Sequence, residues 1–485
     1  MAAAAAIDSK RDAEPAVPLI VDIDRTLTPA DMAAESLVRV ARQGVLALLT
    51  LIALLLRGDR ARLKAWLARR DPVDAGRLPL NEHVLRLIAE ARRAGRPVWL
   101  ASAGHGRNVV RVARAIGGAD RLIGTRRGRN AKGAGKLAAI RAALGHAPFD
   151  YVGDAPADRP LWRAARTAYT VGVATGRADE VRLGAKPKPL PRALLKAIRP
   201  HQWAKNALVF VPLVTGGLAL DPAAWGRALI AFFCLSLLAS SVYLVNDLLD
   251  IDADRLHMKK RHRPLASGAL PVPVAVLAAP VFIVAGLGGA ALLLGLPALI
   301  ALCVYFALTV AYSFRIKAAM IADVIALACL YTIRLWVGAA AVGVAVSSWL
   351  LLFSIFFFLS LGYLKRYIEL MASTRAEHEL LSGRGYVRSD AEIVATSGIA
   401  AGMVSLLVII LFANAMREGG GYASPDLLWL LVIPLLYWLN RVWMMARRGE
   451  VDGDPVAFAI RDPRSIAVGA MMALIVAAAK YLDIG

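Results

Sequence analysis

The sequence predicts two domains of opposite character: an N-terminal α/β domain over residues 1–183 and a C-terminal all-α polytopic membrane domain over 201–485. A basic linker or interfacial helix at 184–200 joins them. Three observations carry this. The chain of 485 residues is 58% hydrophobic with a mean hydropathy of +0.55, too apolar for a soluble protein of that size. Its formal net charge is nonetheless +22, and excess charge beside excess apolarity indicates membrane spans with basic loops, not a nucleic-acid binder. Lastly, composition changes sharply near residue 190, from short apolar strands alternating with Arg/Ala-rich stretches to long apolar runs.

In chain order, Met1 to Pro18 has no apolar core behind its charges, so no signal peptide is expected and the first domain should stay in the cytoplasm. Strands are predicted at Val17–Ile23, Pro97–Ala101, Tyr151–Gly153 and Tyr169–Val173. Val45–Leu56 is 12 apolar residues, too short to span a bilayer; it reads as a buried cap helix or as an interfacial helix. Gly184–Pro200 is Lys/Pro-rich and leads into a basic helix suited to an anionic membrane surface.

Nine candidate spans follow: Trp203–Leu220, Trp225–Val245, Pro273–Leu294, Ala298–Phe314, Met320–Val342, Ser347–Ile368, Ile393–Ala415, Leu427–Ala446 and Ser465–Leu482. Lys and Arg gather in alternate loops, as in Arg255–Arg263, Arg315–Lys317 and Arg447–Arg464, while the opposite loops hold only Arg417. The positive-inside rule then puts the N-terminus and every basic loop on the cytoplasmic side of a bacterial-type inner membrane. Cys234, Cys303 and Cys329 sit in apolar runs without metal-ligand spacing and read as small core residues.

The first chemical constellation opens where a strand runs into Asp22-Ile23-Asp24-Arg25-Thr26. Carboxylates two apart project to one side of an extended chain; one can attack phosphorus while the other handles the leaving-group proton. Ser102 ends the next strand, where its hydroxyl can bind a phosphoryl oxygen, and Lys136 can neutralise charge on the transferring group, with Lys132 a rival. Asp154 and Asp158 follow a third strand and suit a hard cation such as Mg²⁺. Together these elements resemble the motif set of the haloacid dehalogenase (HAD) phosphatase superfamily over Val17–Arg177. The resemblance implies a Rossmann-like α/β fold with a small helical cap inserted between the first two motifs. It makes Asp22 the nucleophile, Asp24 the acid/base, and Ser102 and Lys136 phosphate contacts. A metal would be held by Asp22, Asp24 and Asp154, with Asp158 supporting the metal or the lysine. Arg25 departs from the family, which usually has glycine there.

The second constellation ends the second span: Asn246, Asp247, Asp250 and Asp254. On a helix these acids, three and four apart, share a face, and their repulsion needs a cation between them. Acid clusters on membrane helices are functional-site candidates by default, and Mg²⁺ bridging to a diphosphate resolves the conflict. This pattern with nine spans resembles the UbiA superfamily of intramembrane prenyltransferases. The family's second acidic motif, DxxxD, is represented by Asp323 alone, because position 327 is Leu327. Arg199–Asn206, Lys259–Gly268, Tyr312–Lys317 and Lys365–Glu369 look like the branch that uses phosphoribosyl pyrophosphate, the decaprenyl-phosphate phosphoribosyltransferases.

That resemblance implies displacement at C1 of phosphoribosyl pyrophosphate by a polyprenyl phosphate, with Mg²⁺-assisted pyrophosphate release. The partners are then the two substrates and the lipid bilayer, with no nucleic acid; a homo-oligomer is compatible with the sequence. Asp247, Asp250, Asp254 and Asp323 would be catalytic, with Asn246, Asp247, Asp250 and Asp254 on the metal. Extra phosphates need extra cations: Lys205, Arg261, Arg263, Lys317, Lys365 and Arg366 are the candidates, beside Asn246, Tyr312 and Glu369. Positive-inside bias alone also places cations at such span ends. Arg334 lies eleven residues beyond Asp323, on the same helix face but deeper, and needs a partner there. In the leading reading the HAD domain then removes the 5-phosphate, yielding a pentose donor for envelope or other glycans. Two other readings are a UbiA-type transfer of an isoprenoid from its diphosphate to an aromatic or lipophilic acceptor, and a membrane scaffold or transporter with an inert HAD domain.

Overall fold

The computed structural model describes residues 16–483 apart from 42, 59, 73, 126–132, 176, 185–188, 374–378, 381–383, 420 and 452; Lys132 therefore lies outside the described residues. The chain forms two compact units, one of residues 1–198 with Tyr243–Ala278 and the other of Arg199–Val242 with Ala279–Gly485.

The first unit is built on six strands: β1 (Leu19–Val21), β2 (Val98–His105), β3 (Arg121–Thr125), β4 (Asp150–Gly153), β5 (Ala168–Thr170) and β6 (Val181–Arg182). They pair in parallel in the order β3-β2-β1-β4-β5-β6. Side chains alternate across the sheet: Leu19, Val21 and Leu100 join one core, while Ile20, Trp99 and Tyr151 join the other. A parallel sheet covered on both faces needs such all-apolar strands. Helices α1 (Met32–Ala41), α2 (Val45–Leu56) and α3 (Arg60–Arg70) form the expected insert. Then come α4 (Glu82–Arg93), α5 (Gly106–Ala115), α6 (Ala134–Leu144), α7 (Arg159–Ala164) and the basic α8 (Leu190–Ala197). α2 is not a fully buried cap helix. Ala47 and Leu51 pack on Val40 and Leu67, but Leu46 is 78% and Leu56 83% exposed, with Leu49 and Ile52 on the same open side.

In the second unit the first expected span is not one long helix. Pro200–Phe210 is a 3-10 segment that runs into the short α9 (Val211–Thr215). Pro212 supplies no backbone N–H, and Gly216-Gly217 ends the helix, with Gly217 at φ 79°. α10 (Pro222–Leu249) is covalently continuous with the first unit, which holds α11 (Ile251–Leu256) and the start of α12 (Val272–Leu293). The remaining helices are α13 (Leu296–Phe314), α14 (Ala322–Val342), α15 (Ser348–Met371), α16 (Ala391–Gly419), α17 (Val432–Arg447), α18 (Pro455–Arg461) and α19 (Pro463–Tyr481). Among the described residues eight helical stretches are long and apolar enough to cross a membrane, those of α10, α12 to α17 and α19. Gly338 lets the 3-10 segment lie against α14: a Cβ there would stand 2.1 Å from the Val209 carbonyl oxygen. Lys205 and Asn206 are thereby seated beside the helix that carries Arg334.

Candidate active sites

Asp22 and Asp24 follow β1, and Asp154 follows β4, so all three leave the carboxyl edge of adjacent strands at the point where strand order reverses. Open parallel sheets form their binding crevices there. Lys136 Nζ lies 2.8 Å from Asp22 Oδ2 and 3.4 Å from Asp158 Oδ1. It also donates to the Tyr151 hydroxyl at 2.9 Å, which in turn donates to Asp158 at 3.0 Å. Asp24 accepts from Ser102 Oγ (2.9 Å) and from the backbone N–H of Met32, the first residue of α1 (3.0 Å). Thr26 Oγ1 donates to Asp154 at 3.1 Å.

The electrostatics separate the carboxylates. Burial, with Asp31 and Asp22 nearby, pushes Asp24 up to about 7, the range in which a carboxyl can give and take a proton near neutrality. Burial and the charge of Asp22 push Asp154 up to about 6, against the lowering effect of Arg25. Burial raises Asp22 as well, opposed by Lys136. Burial alone would lower Lys136, yet the Asp22 and Asp158 charges outweigh it and keep the ammonium protonated.

One carboxylate oxygen each of Asp22, Asp154 and Asp158 lies within 4.8 Å of the others. This all-oxygen donor set fits a hard cation such as Mg²⁺. Asp24 is outside the trio, its oxygens engaged by Ser102 and Met32. Arg25 sits at φ 62°, a left-handed conformation that glycine adopts without steric cost; this is a physical reason for glycine at that position. Its Nε stands 3.8 Å from Asp154 Oδ2.

The membrane motif lies at a helix break. α10 stops at Leu249 and Asp250 caps α11, though the Asn246–Asp250 and Asp250–Asp254 backbone hydrogen bonds persist at 2.9 and 2.8 Å. Asp247 and Asp254 are buried, and Arg263 Nη1 bridges them at 3.1 and 2.6 Å. Repulsion between these two acids is thus met by a guanidinium. The donors remain hard oxygens suited to Mg²⁺, with Asn246 and Asp250 half-buried beside them. Arg261 is exposed.

The second unit gathers the other predicted residues into two constellations. In one, Asp323 and Arg366, both fully buried, form an ion pair; Arg366 also pairs with Glu369. The Tyr386 hydroxyl donates to Asp323 at 2.7 Å, and Arg384 joins Glu369 (3.8 Å), the Tyr312 hydroxyl (3.1 Å) and the Lys317 carbonyl (3.2 Å). In the other, Lys205 and Lys365 share the Asp454 carboxylate, Lys365 at 3.7 Å. Arg334 finds neutral partners: Asn206 Oδ1 at 3.0 Å, the Leu330 carbonyl, and the faces of Tyr305 and Tyr331. Tyr151, Asn206, Arg384, Tyr386 and Asp454 received no role from sequence. Asn206 stands within the Arg199–Asn206 stretch, Tyr151 opens the predicted strand before Asp154 and Arg384 belongs to a basic loop; Tyr386 and Asp454 carry no local signal.

Residues 209–462 match the UbiA prenyltransferase family. The chain belongs to it. Residues 19–163 match the haloacid dehalogenase-like hydrolases, so this UbiA protein carries an N-terminal HAD-like domain. It is 36% identical to the uncharacterised protein y4nM of Sinorhizobium fredii over 468 residues, 94% of this chain and 90% of that one. It is 34% identical to the decaprenyl-phosphate phosphoribosyltransferase of Mycobacterium tuberculosis over 283 residues, 57% of this chain and 90% of the relative. A UbiA homologue from Archaeoglobus fulgidus, solved with GPP and Mg²⁺, aligns at a TM-score of 0.44 and 19% identity, covering 59% of this chain and 97% of its own. This UbiA protein is a multi-pass membrane protein.

Proposed function

We propose that the membrane domain transfers a 5-phosphoribosyl group from phosphoribosyl pyrophosphate to a polyprenyl phosphate, and that the HAD-like domain then removes the 5-phosphate. The likeness to the mycobacterial decaprenyl-phosphate phosphoribosyltransferase along 90% of its length carries this reading. A phosphate oxygen of the lipid attacks C1 of the donor; the bond from C1 to the pyrophosphate oxygen breaks and pyrophosphate leaves. Asn246, Asp247, Asp250 and Asp254 would hold Mg²⁺, whose charge would offset that of the leaving diphosphate. Lys205, Lys365 and Arg334 are three cations with one carboxylate, Asp454, among their named partners. That excess of positive charge suits the phosphates a prenyl donor lacks. Asp323, Arg366 and Glu369 are assigned to the same reaction, with Tyr312, Lys317, Arg261 and Arg263 as further phosphate contacts.

In the second step Asp22 attacks the 5-phosphorus while Asp24, at about 7, gives its proton to the departing ribose oxygen; water, giving a proton back to Asp24, then cleaves the aspartyl phosphate and releases phosphate. Ser102 and Lys136 steady the phosphoryl oxygens, and Asp22, Asp154 and Asp158 would hold the ion. Both steps are assigned to the cytoplasmic membrane face, with domain limits at 183 and 201. Purified protein with Mg²⁺, radiolabelled phosphoribosyl pyrophosphate and polyprenyl phosphate should yield labelled lipid. Asp22→Asn should yield it with the 5-phosphate retained. No labelled lipid, from protein that instead prenylates an acceptor from a prenyl diphosphate, would replace this reading with isoprenoid transfer.

A further inference from the structure

The membrane motif is gripped by the N-terminal domain. Residues Tyr243–Ala278 cluster with 1–198, not with the other membrane helices. Glu35, on α1, receives both Nη groups of Arg255 at 2.9 and 2.6 Å, a bidentate pair with side chains 2% and 5% exposed. One turn on, Arg39 reaches Asp252 at 3.3 Å while Asp71 anchors its Nε at 2.9 Å. Arg255 also donates to the Ala266 carbonyl at 3.0 Å. Farther along the loop, Gly268 lies so close to Pro29 that a Cβ would meet its backbone at 2.9 Å, and Lys196 bonds the His262 carbonyl at 3.3 Å.

Asp252 and Arg255 flank Asp254, the acid that Arg263 ties to Asp247. The grip therefore falls inside the motif. Nor is it an anion site. The polar cavity beside it, of about 180 Å³, is lined by Arg39, Arg77 and Arg255 against Asp71, Asp74 and Asp252, so its charges balance. The helix that grips the motif is also the one whose first N–H is held by Asp24.

We propose that Glu35 and Arg39 are positioning residues of the membrane transferase. By fixing Arg255 and Asp252 they hold the Asp247–Asp254–Arg263 constellation in the arrangement that receives Mg²⁺. This rests on the transferase reading above. Groups that orient metal ligands from behind typically change metal affinity 10- to 100-fold when removed.

The test uses the full chain in nanodiscs. Glu35→Gln should raise the Mg²⁺ concentration for half-maximal transfer at least about tenfold, leave p-nitrophenyl phosphate hydrolysis within twofold, and leave the chain monodisperse. Exchanging the pair, Glu35→Arg with Arg255→Glu, should recover most of the loss seen in either single variant. Hydrogen–deuterium exchange gives a readout independent of the reaction: peptides covering 246–266 should exchange faster in Glu35→Gln, with the β-sheet peptides unchanged. An unaltered Mg²⁺ dependence, or an exchanged pair no better than its singles, would overturn the proposal. If wild type makes no labelled lipid the transferase reading fails by itself. Unchanged exchange over 246–266 would then remove the positioning role too.

Discussion

Replacing Arg25 by glycine should tighten Mg²⁺ use by the HAD-like domain while barely moving stability. The left-handed backbone at φ 62° costs a non-glycine residue about 1–2 kcal/mol. Glycine relieves that but adds about 0.5–1 kcal/mol of backbone entropy on folding. The Arg25–Asp154 contact at 3.8 Å involves a side chain 59% exposed, a class of pair that contributes about 0–1 kcal/mol. These nearly cancel. The charge does not. Taking the 3.8 Å between Arg25 and Asp154 as the scale, each unit of metal charge is repelled by about 1 kcal/mol in a water-like medium, hence about 2 kcal/mol for a divalent ion. Half-saturating Mg²⁺ for p-nitrophenyl phosphate hydrolysis should fall about ten- to thirtyfold in Arg25→Gly, and stay near wild type in Arg25→Lys, which keeps the charge. A half-saturation point within twofold of wild type in Arg25→Gly would refute the reasoning.

Two further outcomes follow from buried charges. Arg366→Met should destabilise the membrane unit by about 3–5 kcal/mol, because it strands Asp323 in a fully buried position; Asp323→Asn with Arg366→Met should restore thermal stability yet leave transfer abolished. Asp150 is held below its ordinary 3.8: burial alone would raise it, but Arg166 and Arg96 outweigh that. Its stabilising contribution is full above pH 4 and is lost as pH falls through the depressed value. The melting temperature of the N-terminal domain should therefore drop more gently between pH 4 and 2 in Asp150→Asn than in wild type.

Local patterns were legible in the sequence and distant partnerships were not. The strands leading to Asp22 and Asp154 are apolar runs ending in carboxylates, so both they and their acids could be read directly. β3 escaped because Arg121-Leu122-Ile123-Gly124-Thr125 offers only two apolar side chains, and β6 because its two residues are an exposed edge. The first span was overread because hydropathy does not register a proline and a glycine pair. In the sites, spacing found Asp247 and Asp254 but not that Arg263 joins them. Lys205 meets Asp454 across 249 positions and Asp323 meets Tyr386 across 63; no window along the chain holds both members. Glu35 meets Arg255 across 220 positions, again beyond any local window.

The open leucine row of α2 has a practical consequence. Cut away at residue 198, the N-terminal domain would lose the Tyr243–Ala278 segment that Glu35 and Arg39 hold. It would still carry Leu46, Leu49, Ile52 and Leu56, already exposed in the whole chain, along one side of α2. Such a fragment would self-associate and behave as a sticky particle, and its poor behaviour would say nothing about its chemistry. Phosphatase measurements thus belong on the whole chain in lipid, or on a fragment whose stripe has been rewritten with glutamate.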